Sequence, residues 1–187
     1  MGTMHEDKIE EILRFWFEDI DHSRWFRKDP TFDRELDQRY GELLKLAKGD
    51  QLDEWCGSSR GRLALIILLD QFSRNIYRDT PLSFESDAKA LQLCLEGIQG
   101  GNDAELSPEQ RSFFYLPLRH AEDLAMQKLG LEKTRELNAA GYGSDDYALN
   151  HLAIIERFGR FPHRNRIIGR ESTREELEFL KQPGSSF

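Results

Sequence analysis

Apolar residues recur at intervals of three and four along almost the whole chain, and nowhere do they alternate cleanly as in a half-buried strand. A first helix is predicted over about Glu6–Glu18, with Ile9, Ile12, Leu13, Trp16 and Phe17 on its inner face. Trp25 and Phe26 fall in the connection that follows. A second helix is predicted to start at Asp29-Pro30, because Asp accepts backbone N–H groups at an N-cap and Pro suits the first helical position. Its stripe is Phe32, Leu36, Tyr40, Leu43, Leu44 and Ala47, and Gly49 stops it. The third helix, about Ser59–Tyr77, contains Leu63–Leu69, seven consecutive apolar residues. A helix that is apolar on every side belongs in the centre of the fold.

A fourth helix is predicted over about Ser83–Ile98, ended by Gly100-Gly101. Ser107, Pro108 and Gln110 form a capping box that opens a fifth. Pro117 breaks or kinks the chain, and a sixth helix is expected from about Leu118 to Leu129 with a helical extension to Asn138. Gly141-Tyr142-Gly143 reads as a loop before a seventh helix, about Ser144–Phe158. Phe161-Pro162 forces a turn. Ser172 with Glu175 reads as a second capping box, for a last helix to Lys181, and residues 182–187 read as a frayed tail. The succession predicts one all-α domain, residues 1–187, built from antiparallel helical pairs.

Length and composition narrow the class of function. A chain of 187 residues with 39% hydrophobic and 32% charged residues buries a core without disulfide or metal staples. The net charge of -8 disfavours nucleic acid and anionic membrane surfaces as partners. No apolar run approaches the roughly 20 residues of a membrane span, and the polar, acidic N-terminus is unlike a secretory signal. Cys56 and Cys94 lack any metal-ligand or redox spacing, so no metal and no cofactor are expected, and free thiols suggest the cytoplasm. Motifs for a serine nucleophile elbow, a phosphate loop and a dinucleotide fold are absent.

Three constellations remain. Asp70, Arg74 and Arg78 are four apart and share one helix face, with Asn75 beside them, immediately after the most apolar stretch. They form either a ligand-facing acid and arginine set or an ion pair between helices. His120, Glu122 and Asp123 follow Pro117; His120 and Glu122 are candidate acid or base groups, with His120 and Asp123 on one helix face. The competing reading is an acid-decorated helix start that suits the dipole. The third is a reversal of charge. From Arg157 to Arg170 there are five arginines, one histidine and no acid. Arg160, His163, Arg164, Asn165 and Arg170 could hold a phosphate or carboxylate through forked guanidinium contacts. His151, on the stripe of Tyr147, Ile155 and Phe158, is expected to point inward and is counted with them as ligand-binding. The competing reading pairs these arginines with the chain's own surplus carboxylates. The three segments are expected to converge, since buried charges need partners.

Phe15-Trp16-Phe17, Leu69-Asp70-Gln71-Phe72 through Arg74-Asn75, Phe114–Leu118 through His120-Ala121-Glu122-Asp123, and Phe158–Asn165 with Gly169-Arg170 and Ser172-Thr173 resemble one bacterial and plant family, domain of unknown function 924. The resemblance extends to Phe179-Leu180 and the Ser185-Ser186-Phe187 ending; Ala121 stands where it implies a serine. It implies an α-α superhelix similar to tetratricopeptide repeats, and no reaction. Two functions follow as expectations: a cytoplasmic protein with a polar pocket for a small anionic ligand, or a scaffold whose groove holds a peptide.

Overall fold

A computed structural model describes residues 2–187. It is all-α, with no strand among the described residues. The chain forms two compact units, residues 1–78 with 82–117, and residues 79–81 with 118–187.

In the first unit α1 (Gly2–Arg14) runs into a π-helical turn over Phe15–Asp19, closed by the Ile20 N–H on the Phe15 carbonyl at 3.2 Å. The wider turn places Phe15, Trp16 and Phe17 all in the core, three consecutive positions that a regular helix would spread over about 200° of its circumference. Helix α2 (Pro30–Lys48) starts as read: the Asp29 carboxylate accepts from the N–H groups of Thr31 and Phe32, and Gly49 caps the other end. The predicted third helix is α3 (Ser59–Ile66), a π-helical turn over Ile67–Phe72, and α4 (Ser73–Ile76). It is the central element, and every residue from Leu63 to Leu69 is buried. Its N-cap is Ser58, whose hydroxyl accepts from the Gly61 N–H. α5 (Asp87–Gln99) and α6 (Pro108–Phe114) pack on α3, and the Ser107–Gln110 capping box at the head of α6 is present as predicted.

Three local expectations fail in the second unit. The sixth helix is not continuous. α7 (Leu116–His120) ends before residue 121, and α8 (Leu124–Ala139) starts anew, with the Asp123 carboxylate accepting from the Met126 N–H. Gln127, almost fully buried, donates through its amide to the carbonyls of Arg119 and Ala121, both at 2.7 Å. It thereby satisfies groups that the broken helix leaves open. His120 and Asp123 therefore share no helix face. The last capping box is one residue later than read: Thr173 and Glu176 cap α10 (Arg174–Phe179), not Ser172 and Glu175. The end of the chain is docked rather than frayed. Ser185 is buried with its hydroxyl donating to the Leu180 carbonyl, and the Phe187 ring lies 3.7 Å from that of His151. Between these lies α9 (Asp146–Phe158), which packs on α8 and ends at Gly159 in the left-handed conformation, φ +68°.

Candidate functional site

The arginine-rich segment 159–172 is threaded between two ion pairs in the second unit. Gly159 turns the chain out of α9, and Pro162 opens a single 3₁₀ turn over Pro162–Arg164. Arg160 forks onto both oxygens of Glu176 at 2.6 and 2.8 Å and donates to the Glu171 carbonyl at 2.9 Å. Arg170 forks onto both oxygens of Glu122 at 2.6 and 2.7 Å. Asn165, fully buried, joins the two pairs. Its amide nitrogen donates to the Ser172 hydroxyl at 3.0 Å and to Glu176 at 3.3 Å, and its oxygen accepts from Arg170 at 2.9 Å. The result is one continuous polar chain, Arg160–Glu176–Asn165–Arg170–Glu122.

Both carboxylates are held charged. The Arg160 fork is the main force holding Glu176 down, to about 2; burial opposes it, and the Thr173 N–H and the Asn165 amide add to the lowering. Burial pushes Glu122 up, but hydrogen bonds from Arg170 and the Phe161 N–H outweigh it, so its pKa lies below the ordinary value. Held ionised, with Oε1 accepting from the Phe161 N–H and Arg170 and Oε2 from Arg170, the Glu122 carboxylate carries no proton to give. Glu122, expected as an acid or base, is paired with Arg170 in this structure. The Glu122–Arg170 coupling is expected to be about 1.5–2 kcal/mol in a double-mutant cycle of Glu122→Gln and Arg170→Met read by urea unfolding. A coupling near zero would remove this pair from the account of the segment.

The remaining predicted residues of this unit gather around aromatic rings. Arg164, almost fully buried, donates to the His120 carbonyl at 2.9 Å and lies 4.8 Å over the Phe161 ring. His120 and His151 approach with ring centres 6.5 Å apart. His151 donates from Nδ1 to the Tyr147 carbonyl at 2.6 Å, since a carbonyl only accepts. Burial pushes its pKa down to about 4, helped by the charges of Arg119 and Arg164. His151 thus points inward as read, as a neutral imidazole against Phe161 and Phe187.

Asp70, Arg74 and Asn75 belong to the first unit, and their partners are there. Arg74 donates to Asp70 at 3.1 Å and to Asp87 at 3.0 Å. Asn75 donates to Asp33 at 2.9 Å, and Arg78 forks onto the same carboxylate.

One feature of the second unit is open. A groove of about 600 Å³ is lined by Pro162, His163, Arg166, Arg170, Glu171, Ser172, Leu177 and Leu180. Arg166 is exposed on it and makes no hydrogen bond or ion pair among the described residues. The sequence reading passed over Arg166. The signal was there, since it is one of the five arginines, but nothing local separates a paired arginine from an unpaired one. Among the described residues no group of three His, Cys, Asp or Glu could hold a metal ion, and no helix is long and apolar enough to cross a membrane.

Residues 12–184 match the family model described as a bacterial protein of unknown function, DUF924. The chain belongs to this family. A solved structure of ATU0120, a protein of unknown function from Agrobacterium tumefaciens, is similar to this DUF924 chain at 38% identity, with a TM-score of 0.84, covering 94% of this chain and 98% of that one. No curated protein matches this DUF924 chain. The family match begins in α1 at Ile12 and runs past α10 to Gly184, so it takes in both ion pairs and the groove.

Proposed function

We propose that this DUF924 protein binds a small organic anion in the groove beside α10. The observation that carries the reading is Arg166, a fixed cation on an open concave surface with no carboxylate of its own. The composition of the groove supports it. Arg166 is its open cation, since Arg170 is already held by Glu122; Glu171 is the one carboxylate in its lining, and Pro162, Leu177 and Leu180 supply apolar surface. Ligand sites commonly combine such a floor with a few placed polar groups. Arg160, Arg164, Asn165 and Arg170 enter as the frame that holds the groove, and His120, Glu122 and His151 as its support. The reading takes the protein to act in the cytoplasm and assigns no reaction.

Melting in phosphate and in chloride at matched ionic strength tests it, because phosphate also stabilises proteins generally by exclusion. Binding to the folded state stabilises by RT ln(1 + [L]/Kd), about 2.7 kcal/mol at a hundred times Kd. Arg166→Ala is the control, since it removes the unpaired cation and leaves both ion pairs in place. The expected result is a saturating rise in Tm for the parent that is absent in Arg166→Ala. An equal, non-saturating rise in both proteins would overturn the reading.

A tetratricopeptide-like scaffold is the second reading, and one observation favours it. In the first unit Phe26 is 73% exposed and stacks on Phe113 at 6.0 Å, next to Trp25. An exposed aromatic edge of this kind suits a peptide partner.

A further inference from the structure

The groove and the seat of Phe187 share a wall. His163 lines the groove, and its ring lies 4.7 Å from that of Phe187. Phe187 also meets His151 at 3.7 Å and Phe161, edge to face, at 5.3 Å. The two sides of this seat differ in how firmly they are built. Phe161 is fully buried, and His151 is held by the Tyr147 carbonyl on α9. Phe187 is 48% exposed, on a short segment that turns at Gly184, φ +76°, and is tied by the Ser185 hydroxyl on the Leu180 carbonyl. An aromatic seat made by Phe161, His151 and His163 is thus filled by a half-exposed phenyl group from the same chain. His163 shares the groove lining with Arg166, the groove arginine that has no ion pair among the described residues.

We propose that the groove's ligand is an aromatic acid, whose ring takes the seat that Phe187 fills and whose anionic group lies on Arg166. The proposal rests on the groove reading above and adds the ring. Offset and edge-to-face ring contacts favour an aromatic over an aliphatic group of equal size. Phe187 competes from within the chain. Affinity for a ligand that needs the seat is lowered by the fraction of molecules in which the seat is open. A ligand with no ring is indifferent to Phe187.

The probes are phenyl phosphate and inorganic phosphate, titrated calorimetrically into the full chain, Phe187→Ala, Phe187→Leu and Arg166→Ala. Phenyl phosphate should bind the parent more tightly than phosphate. It should gain about tenfold in Phe187→Ala, which corresponds to a seat open about a tenth of the time in the parent. Phosphate should be unchanged. Phe187→Leu keeps an apolar tether and should fall between parent and Phe187→Ala for phenyl phosphate, which guards against a folding defect in the alanine variant. If both probes bind through Arg166 but phenyl phosphate gains nothing in Phe187→Ala, the ring seat is refuted and the groove reading stands. If neither probe binds the parent, or both bind Arg166→Ala equally well, the groove reading fails and this proposal with it.

Discussion

Asp70→Ala is expected to lower the unfolding free energy by about 3–4 kcal/mol in urea titrations at neutral pH. The side chain is fully buried on the central helix. It accepts from Arg74 at 3.1 Å and from the buried Gln71 amide at 2.5 Å. Removing it leaves an amide donor without that acceptor and a guanidinium short of one of its two carboxylates. Arg74 keeps Asp87 at 3.0 Å and the Asp70 backbone carbonyl at 2.9 Å. That residual pairing holds the loss below the upper end of the roughly 3–5 kcal/mol seen when a buried charge is stranded outright. Asp70→Asn keeps an acceptor oxygen and loses only the charge, so its loss should be nearer about 2 kcal/mol. A loss under about 1 kcal/mol for Asp70→Ala is the behaviour of an exposed pair and would contradict the burial of this site.

The second large effect is on acid stability. His151 has a pKa of about 4 in the folded protein against an ordinary value of 6.5, because burial disfavours its charged form. The unfolded chain therefore binds more protons than the folded one between these values. The stability tied to neutral His151 is fully present above pH 6.5 and is lost as pH falls toward 4, in total on the order of 3 kcal/mol. Glu176 acts in the same direction at lower pH. Its folded pKa of about 2 lies below the ordinary 4.5, so its contribution is lost as pH falls from 4.5 toward 2. Urea unfolding at pH 7, 5.5 and 4.5 separates the two, with His151→Phe as the comparison. The variant should be less stable at pH 7, having lost the bond to Tyr147, yet show a much flatter decline between pH 6.5 and 4.5. An identical decline in both proteins would assign the acid sensitivity to another group.

Local chemistry was legible wherever one residue and its near neighbours decided the outcome. Asp29-Pro30 opens α2, and Ser107-Pro108 with Gln110 opens α6, as read, because a cap is a hydrogen bond across two or three residues. The seven apolar residues Leu63–Leu69 marked the central helix, because nothing but a core can surround such a segment. The all-α class followed from the same periodicity. The charge reversal at Arg157–Arg170 correctly marked an unusual stretch, and a surplus of acids elsewhere left open how much of it would be neutralised.

Tertiary structure decided what these rules leave degenerate. Ser172–Glu175 and Thr173–Glu176 satisfy the capping rule equally well. Glu176 is the residue used because Arg160 and Asn165, more than ten positions away, hold its carboxylate in the interior. The break between α7 and α8 was invisible because Gln127 is an ordinary helix former; only in the folded unit does its amide reach the carbonyls that the break exposes. Residues 182–187 read as a frayed end because the seat for Phe187 is made by His151, Phe161 and His163, none of them near it in sequence. The same holds for the arginines. All five carry the same charge and similar neighbours along the chain, but Arg160 and Arg170 meet Glu176 and Glu122 while Arg166 faces the groove. Periodicity and caps are short-range and can be read from the chain; which charge meets which depends on loop closure over tens of residues, and that is settled only when the helices pack.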